Sequence, residues 1–360
     1  MTTRSLLGAV VAVSILASPL WAQDHDHDDH DALLTPYTNT GSIAVPLTYI
    51  DRYADVPEAS AGIPIDPDKG YAVLDLGAGA YFVTEGVYQV MFIYHEDGLI
   101  LADAPPNIGP RLLAAAEEIA PGEPITHLIY SHAHVDHIGF ASQIVSAFPD
   151  VEIVAHALTL DKLERAGDAR RPLPAVTFDT EDDVFDLTVG GQTLALNYPG
   201  PNHQDGNIEI WHEDSATLML IDVVFPGWMM WRRLALAEDI PGTFDTIRSI
   251  NARYEFETLV AGHVGRPGTQ ADVELQIEFM TDLHNAAAAA LGAVTPGETV
   301  DPEDFVNPWA VFDNYIDRVV IECVNELTPK WENRMAGFDV FIYDQCLAME
   351  QSIRVDGPSL

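Results

Sequence analysis

Between Tyr71 and Gly268 apolar residues come in short runs rich in Val, Ile, Leu and aromatics, punctuated by Gly, Pro, Asp and Asn. Short apolar runs bounded by turn formers predict strands. Tyr88 to Tyr94 and Leu99 to Leu101 flank His95-Glu96-Asp97-Gly98, a hairpin-like turn. Ile125 to Tyr130, Val151 to Val154 and Thr258 to Ala261 predict further strands. Val176 to Val189 and Thr193 to Tyr198 predict an antiparallel pair around Gly190-Gly191, and Ile208 to Trp211 pairs with Thr217 to Ile221 in another hairpin. Helical spacing marks Ile108 to Ala120, Gly139 to Phe148, Leu158 to Ala166 and Thr243 to Tyr254. Hairpins with helices between them predict an α/β (α+β) fold, two mixed sheets face to face in a four-layer αββα sandwich. Beyond Gly268 the strands stop. Val273, Ile277, Met280, Leu283 and Ala287 share a helical face; so do Phe312, Ile316, Val319, Val320, Cys323 and Leu327, and then Phe338, Ile342, Cys346, Met349 and Ile353. Residues 71–268 thus read as the α/β domain and 269–360 as a C-terminal helical extension, serving as lid, packing cap or homo-oligomer surface.

The ends read differently. Arg4, the run Leu6 to Leu16 and Ala17-Ser18-Pro19-Leu20-Trp21-Ala22 have the form of a secretory signal peptide, residues 1–22. The apolar run is too short for a membrane anchor, which needs about 20 residues. The expected product is periplasmic or secreted, with no membrane partner after cleavage. Residues 23–70 read as an Asp/His-rich tail, Asp24 to Asp31, followed by an extended arm. The tail is either a solvated segment or a loose zinc trap.

The chain carries 56 acidic and 17 basic residues, a net charge of −39, and its lysines are Lys69, Lys162 and Lys330. Such a surface repels polyanions, which argues against nucleic acid as a partner and leaves a small-molecule substrate. A saline habitat and an ordinary acidic exported protein both fit the charge. Cys323 and Cys346 fit either a disulfide, in an oxidising compartment, or two buried thiols.

The chemistry centres on Ser131-His132-Ala133-His134-Val135-Asp136-His137, directly after the strand ending at Tyr130. Imidazoles and a carboxylate this close form a ligand set for zinc or a related first-row metal. His203, Asp222 and His263 each follow a predicted strand, where a binuclear site would need them.

With this series the chain resembles the metallo-β-lactamase-fold hydrolase superfamily over roughly Tyr71 to Gly268. The resemblance implies two zinc ions: His132, His134 and His203 on the first, Asp136, His137 and His263 on the second, Asp222 bridging. It implies that Asp103 braces the metal loops and that Asp136 orients the nucleophilic water, a metal-bridging hydroxide, and moves its proton. His132 disfavours the flavodiiron branch, which carries a carboxylate there, Asp222 the true β-lactamases, and the full second ligand set the mononuclear iron dioxygenases. The compact interval between His137 and His203 is lactonase-like, but Phe225 stands where lactonases place a tyrosine. The expected reaction is hydrolysis of an ester, lactone or related small molecule; β-lactam hydrolysis and phosphotriester or phosphodiester cleavage are the enzymatic alternatives. A non-catalytic zinc buffer is the alternative of another class. Phe225, Trp228 and Trp231 are candidate pocket walls, with packing against the C-terminal helices as the competing role for the tryptophans. Arg266, or Arg232 or Arg233, is the candidate grip for an anionic substrate.

Overall fold

The computed structural model describes residues 53–179, 184–296 and 306–357; the signal-like segment and the Asp/His tail lie outside them. All described residues belong to one compact unit.

A seven-stranded sheet runs in the order β1 (Ala72–Gly77), β2 (Ala80–Thr84), β3 (Gln89–His95), β4 (Gly98–Ala102), β5 (Ile125–Ile129), β6 (Glu152–His156) and β7 (Val176–Phe178). Pairing is antiparallel through β4 and parallel from β4 to β7. The second sheet has five strands: β8 (Phe185–Val189), β9 (Gln192–Asn197), β10 (Glu209–His212), β11 (Thr217–Leu220) and β12 (Thr258–Val260), with β12 outermost beside β11.

Side-chain alternation sets the layers. Met91, Ile93, Ile100, Ile129 and Val154 face Leu194, Leu196, Ile210, Met219 and Val260 between the sheets. The residues beside them, Phe92, Leu99, Leu101 and Leu128, turn outward onto α1 (Arg111–Ile119), α3 (Ala141–Ala147) and α4 (Ala157–Ala166). Leu218, Leu220 and Leu259 turn outward from the second sheet onto α6 (Ile240–Arg253), α7 (Gln270–Ala293), α8 (Pro308–Trp331) and α9 (Phe338–Val355). The C-terminal helices are therefore the fourth layer of the sandwich. Cys323 of α8 and Cys346 of α9 are joined by a buried disulfide, which excludes the two-thiol alternative.

One expected strand is corrected. Val176 to Val189 is not continuous: Val176–Phe178 pairs with β6 in the first sheet, whereas Phe185–Val189 pairs with β9 in the second. β7 ends at Phe178 in one sheet and β8 begins at Phe185 in the other. Between β11 and α6, Arg233, Leu234, Ala235 and Leu236 all have positive φ, a left-handed turn within α5 (Arg232–Leu236). Among the described residues no helix is long and apolar enough to cross a membrane.

Candidate metal centre

The loops that follow β5, β9, β11 and β12 bring seven side chains together. After β5 the chain passes through Ser131 to His134 into the short helix α2 (Val135–Ile138), which presents Asp136 and His137. His132, His134, His203 and Asp222 form one donor group, and Asp136, His137 and His263 a second, each with its ligand atoms within 4.8 Å of one another. Asp222, in the left-handed region at φ 62°, joins them. Its Oδ2 lies 3.3 Å from His203 Nε2, 3.8 Å from His132 Nε2 and 3.1 Å from His137 Nε2, and its Oδ1 3.1 Å from His263 Nε2. Asp136 Oδ2 is 3.6 Å from His137 Nε2 and 3.8 Å from His263 Nε2.

These donors fit metal ions. His132 Nε2, His137 Nε2 and Asp222 Oδ1 are buried and make no hydrogen bond, an arrangement that is unfavourable unless a cation fills the space between them. Zinc–nitrogen distances of 2.0–2.1 Å place tetrahedral donors about 3.3 Å apart, near the spacings found here. His203 Nε2 and His134 Nδ1 face each other at 3.0 Å, so two lone pairs can converge on one ion.

Hydrogen bonds prepare the donors. Asp103, fully buried at φ 65°, accepts from Ser131 N–H at 2.8 Å and from Ser131 Oγ–H at 2.6 Å. Ser131 Oγ lies 2.9 Å from His132 Nδ1. With its one proton committed to Asp103, Ser131 accepts from Nδ1–H, which leaves the lone pair on Nε2. The Ala133 peptide, between two ligands, donates to Gln204 Oε1 at 2.9 Å and accepts from Arg171 Nη1. Gln89 Nε2 donates to the carbonyls of His263, Val264 and Arg266, and its Oε1 accepts from Ala261 N–H. A Cβ on Gly262, at φ 92°, would meet the Ile221 side chain at 2.7 Å and the His137 ring at 3.2 Å, so only glycine fits beside that ligand.

Charge is tuned by burial and by the carboxylates. Burial holds His203 down at about 4 and His132 well below its ordinary value. Burial would also lower His137, but Asp222 and Asp136 raise it to about 9. Burial would raise Asp222, yet His137, His263 and His203 together hold its carboxyl well below the usual range. Asp103 is pushed up by burial to about 6 against the opposing pull of His137 and Ser131.

The pocket candidates divide. Phe225 is buried and stacks on His263, ring centres 5.9 Å apart. Trp228 donates to Ser60 O at 2.8 Å and packs against the helical layer. Trp231 is half exposed, its carbonyl bonded to Gln345 Nε2. Arg266 is committed to the Asp272 carboxylate at 2.6 and 3.0 Å, Arg232 to Asp344 and Arg233 to Gln351, so ion pairs and packing occupy the arginines expected to grip a substrate. The sequence alone assigns no role to Ser131, which opens the motif, or to Gln204, which follows His203, and nothing in the spacing ties Tyr88, Gln89 or Arg171 to the motif. Tyr88 sits at the second donor group, its ring centre 4.6 Å from that of His263 and its hydroxyl 3.4 Å from Asp136 Oδ2.

Facing sheets with helices outside, and a His/Asp donor cluster at strand ends, define an αββα metal-binding sandwich. A sequence model of the metallo-beta-lactamase superfamily matches residues 83–290. The chain belongs to that superfamily, and its domain is that of a metal-dependent hydrolase. It is similar to 2,4-dinitroanisole O-demethylase subunit alpha of Nocardioides sp. (strain JS1661), 27% identical over 234 residues, 61% of this chain and 64% of that protein. It is also similar to hydroxyacylglutathione hydrolase of Rhodospirillum rubrum, 32% identical over 120 residues, 33% of this chain and 41% of the relative. The chain thus spans less than two thirds of either relative. Among solved structures, a metallo-beta-lactamase from Pontibacter korlensis aligns over 59% of this chain and 99% of its own at a TM-score of 0.50 and 19% identity, a likeness of fold.

Proposed function

We propose that the protein is an exported hydrolase with two zinc ions that cleaves an ester, lactone or related small molecule. The observation that carries this reading is the Asp222 carboxylate, shared between the two donor groups with one oxygen toward His203 and His137 and the other toward His263. His132, His134 and His203 would hold one ion, Asp136, His137 and His263 the other, with Asp222 common to both. When bound, a zinc pair supplies Lewis acidity and lowers the pKa of a water toward about 7. Asp136, partly exposed beside the second group, holds the attacking water and takes its proton. Phe225 and Tyr88 lie against the His263 ring and leave it only partly exposed. Export is supported by the buried Cys323–Cys346 disulfide, a bond that oxidising compartments favour.

A second reading, cleavage of an activated aryl methyl ether, is favoured by the likeness to the Nocardioides demethylase subunit. A panel of lactones, aryl esters, phosphotriesters, a chromogenic β-lactam and 2,4-dinitroanisole tests both on zinc-loaded protein, with Asp222→Ala as control. Turnover of esters or lactones supports the first reading, turnover of the ether alone the second. An Asp222→Ala variant working at the wild-type rate contradicts both.

A further inference from the structure

The oxygen that gains negative charge during acyl cleavage is stabilised by preorganised hydrogen-bond donors as well as by metal charge where a donor lies within reach. The nearby cations are spent: Arg171 bonds Ala133 O and pairs with Asp168, and Arg266 is held by Asp272. Ser131 donates inward to Asp103. Tyr88 is different. Its hydroxyl reaches Asp136 Oδ2 at 3.4 Å, far longer than the 2.7–2.8 Å of a strong O–H···O bond, so the donor is not consumed. The residue is half-buried at the partly exposed edge of the second donor group.

Its position is fixed in advance. The ring centre lies 4.6 Å from His263 and 5.7 Å from His137. Tyr88 N–H donates to the Glu85 carboxylate at 3.1 and 3.2 Å, and the next residue, Gln89, bonds Gly262 O through its backbone at 2.9 Å. Tyr88 and His263 also form an isolated antiparallel bridge. With the ring held this way, only the hydroxyl has to rotate when charge develops.

We propose that the Tyr88 hydroxyl touches the substrate, turning from Asp136 to donate a hydrogen bond to the substrate oxygen that becomes negative in the transition state. No proton is transferred and no bond to Tyr88 forms. This assignment rests on the hydrolase reading above and adds a catalytic residue to it.

Tyr88→Phe keeps the ring and removes the donor. Three readouts decide the matter: zinc content, kcat and KM on a substrate the wild type turns over, and calorimetric affinity of the zinc-loaded protein for phenyl methylphosphonate, an inert mimic of the tetrahedral state. The expected result is unchanged zinc content and KM, with kcat lowered about 100-fold, as for other removed oxyanion donors, and a parallel fall in phosphonate affinity. Equal kcat or equal phosphonate affinity in the two proteins overturns the assignment, as does loss of zinc from Tyr88→Phe, which would make the residue a structural support. If the wild type cleaves nothing on the panel, the hydrolase reading fails separately and the phosphonate comparison alone decides the role of Tyr88: weaker binding upholds it, equal or absent binding overturns it.

Discussion

Asp103 touches no metal donor group directly, yet it decides which nitrogen of His132 is free, because it takes the Ser131 proton and so makes His132 Nδ1 the donor. Asp103→Ala should leave the chain folded and weaken zinc affinity about 10–100-fold, the usual loss when such a support is removed; competition with a chromophoric chelator measures it. His137 makes a pH prediction. In the metal-free protein Asp222 and Asp136 overcome the effect of burial and raise its pKa to about 9. Below that pH the imidazole carries a proton that an incoming ion must displace. Zinc affinity should therefore climb with pH up to about 9 and then level off, with proton release visible in calorimetry across buffers of different ionisation enthalpy; a flat profile would contradict it. The sign for folding is opposite. A raised His pKa stabilises the metal-free fold fully below the ordinary value of 6.5, and that contribution fades as pH rises through about 9.

At the level of elements, the left-handed turn at Arg233 to Leu236 is unfavourable by about 1–2 kcal/mol per residue and is held in place from α9. Gln345, fully buried, donates to the carbonyls of Met230 and Trp231 and accepts from Leu234 N–H. Gln345→Leu strands those groups and should lower stability by about 2–4 kcal/mol in urea unfolding. Gly262→Ala, whose Cβ would meet buried Ile221 at 2.7 Å and the His137 ring at 3.2 Å at a positive φ, should lower the melting temperature and also lower the metal content counted by elemental analysis. The sequence makes some of this legible and hides the rest for physical reasons. The donor cluster is legible because side chains able to bind metal stand together at strand ends, and the strands because each shows two faces to two cores. The left-handed turn has no local signature in Arg-Leu-Ala-Leu, since its conformation is imposed by a glutamine more than a hundred residues away. Tyr88 and Arg171 were equally silent, because a lone phenol or guanidinium gains meaning only from what folding brings beside it. The break within Val176 to Val189 leaves only a faint trace: apolar residues fall at 176 and 178 but then at 185, 187 and 189, so the alternation changes phase across an acidic stretch.

Over the whole molecule, the C-terminal helices complete the sandwich. Val273, Phe279, Leu283, Val320, Trp331 and Phe338 pack in one cluster with Leu218, Leu220 and Leu259 of the second sheet. A chain cut after Gly268 would expose that face and should lose its cooperative thermal transition, despite retaining every metal donor. Reducing Cys323–Cys346, separated by 23 residues, should lower stability by about 3 kcal/mol, the chain-entropy value for a loop of this length. The net charge of −39 repels itself, so raising salt from about 10 mM to about 1 M should raise the melting temperature. The central claim is that seven side chains hold a metal pair through Asp222, independently of the Asp/His tail. Zinc counted per chain by elemental analysis tests it in the wild type, in a variant lacking Asp24 to Asp31, and in Asp222→Ala. The prediction is two ions in the first two proteins and one or none in the third. One iron per chain, loss of both zincs with the tail, or two zincs retained by Asp222→Ala would contradict it.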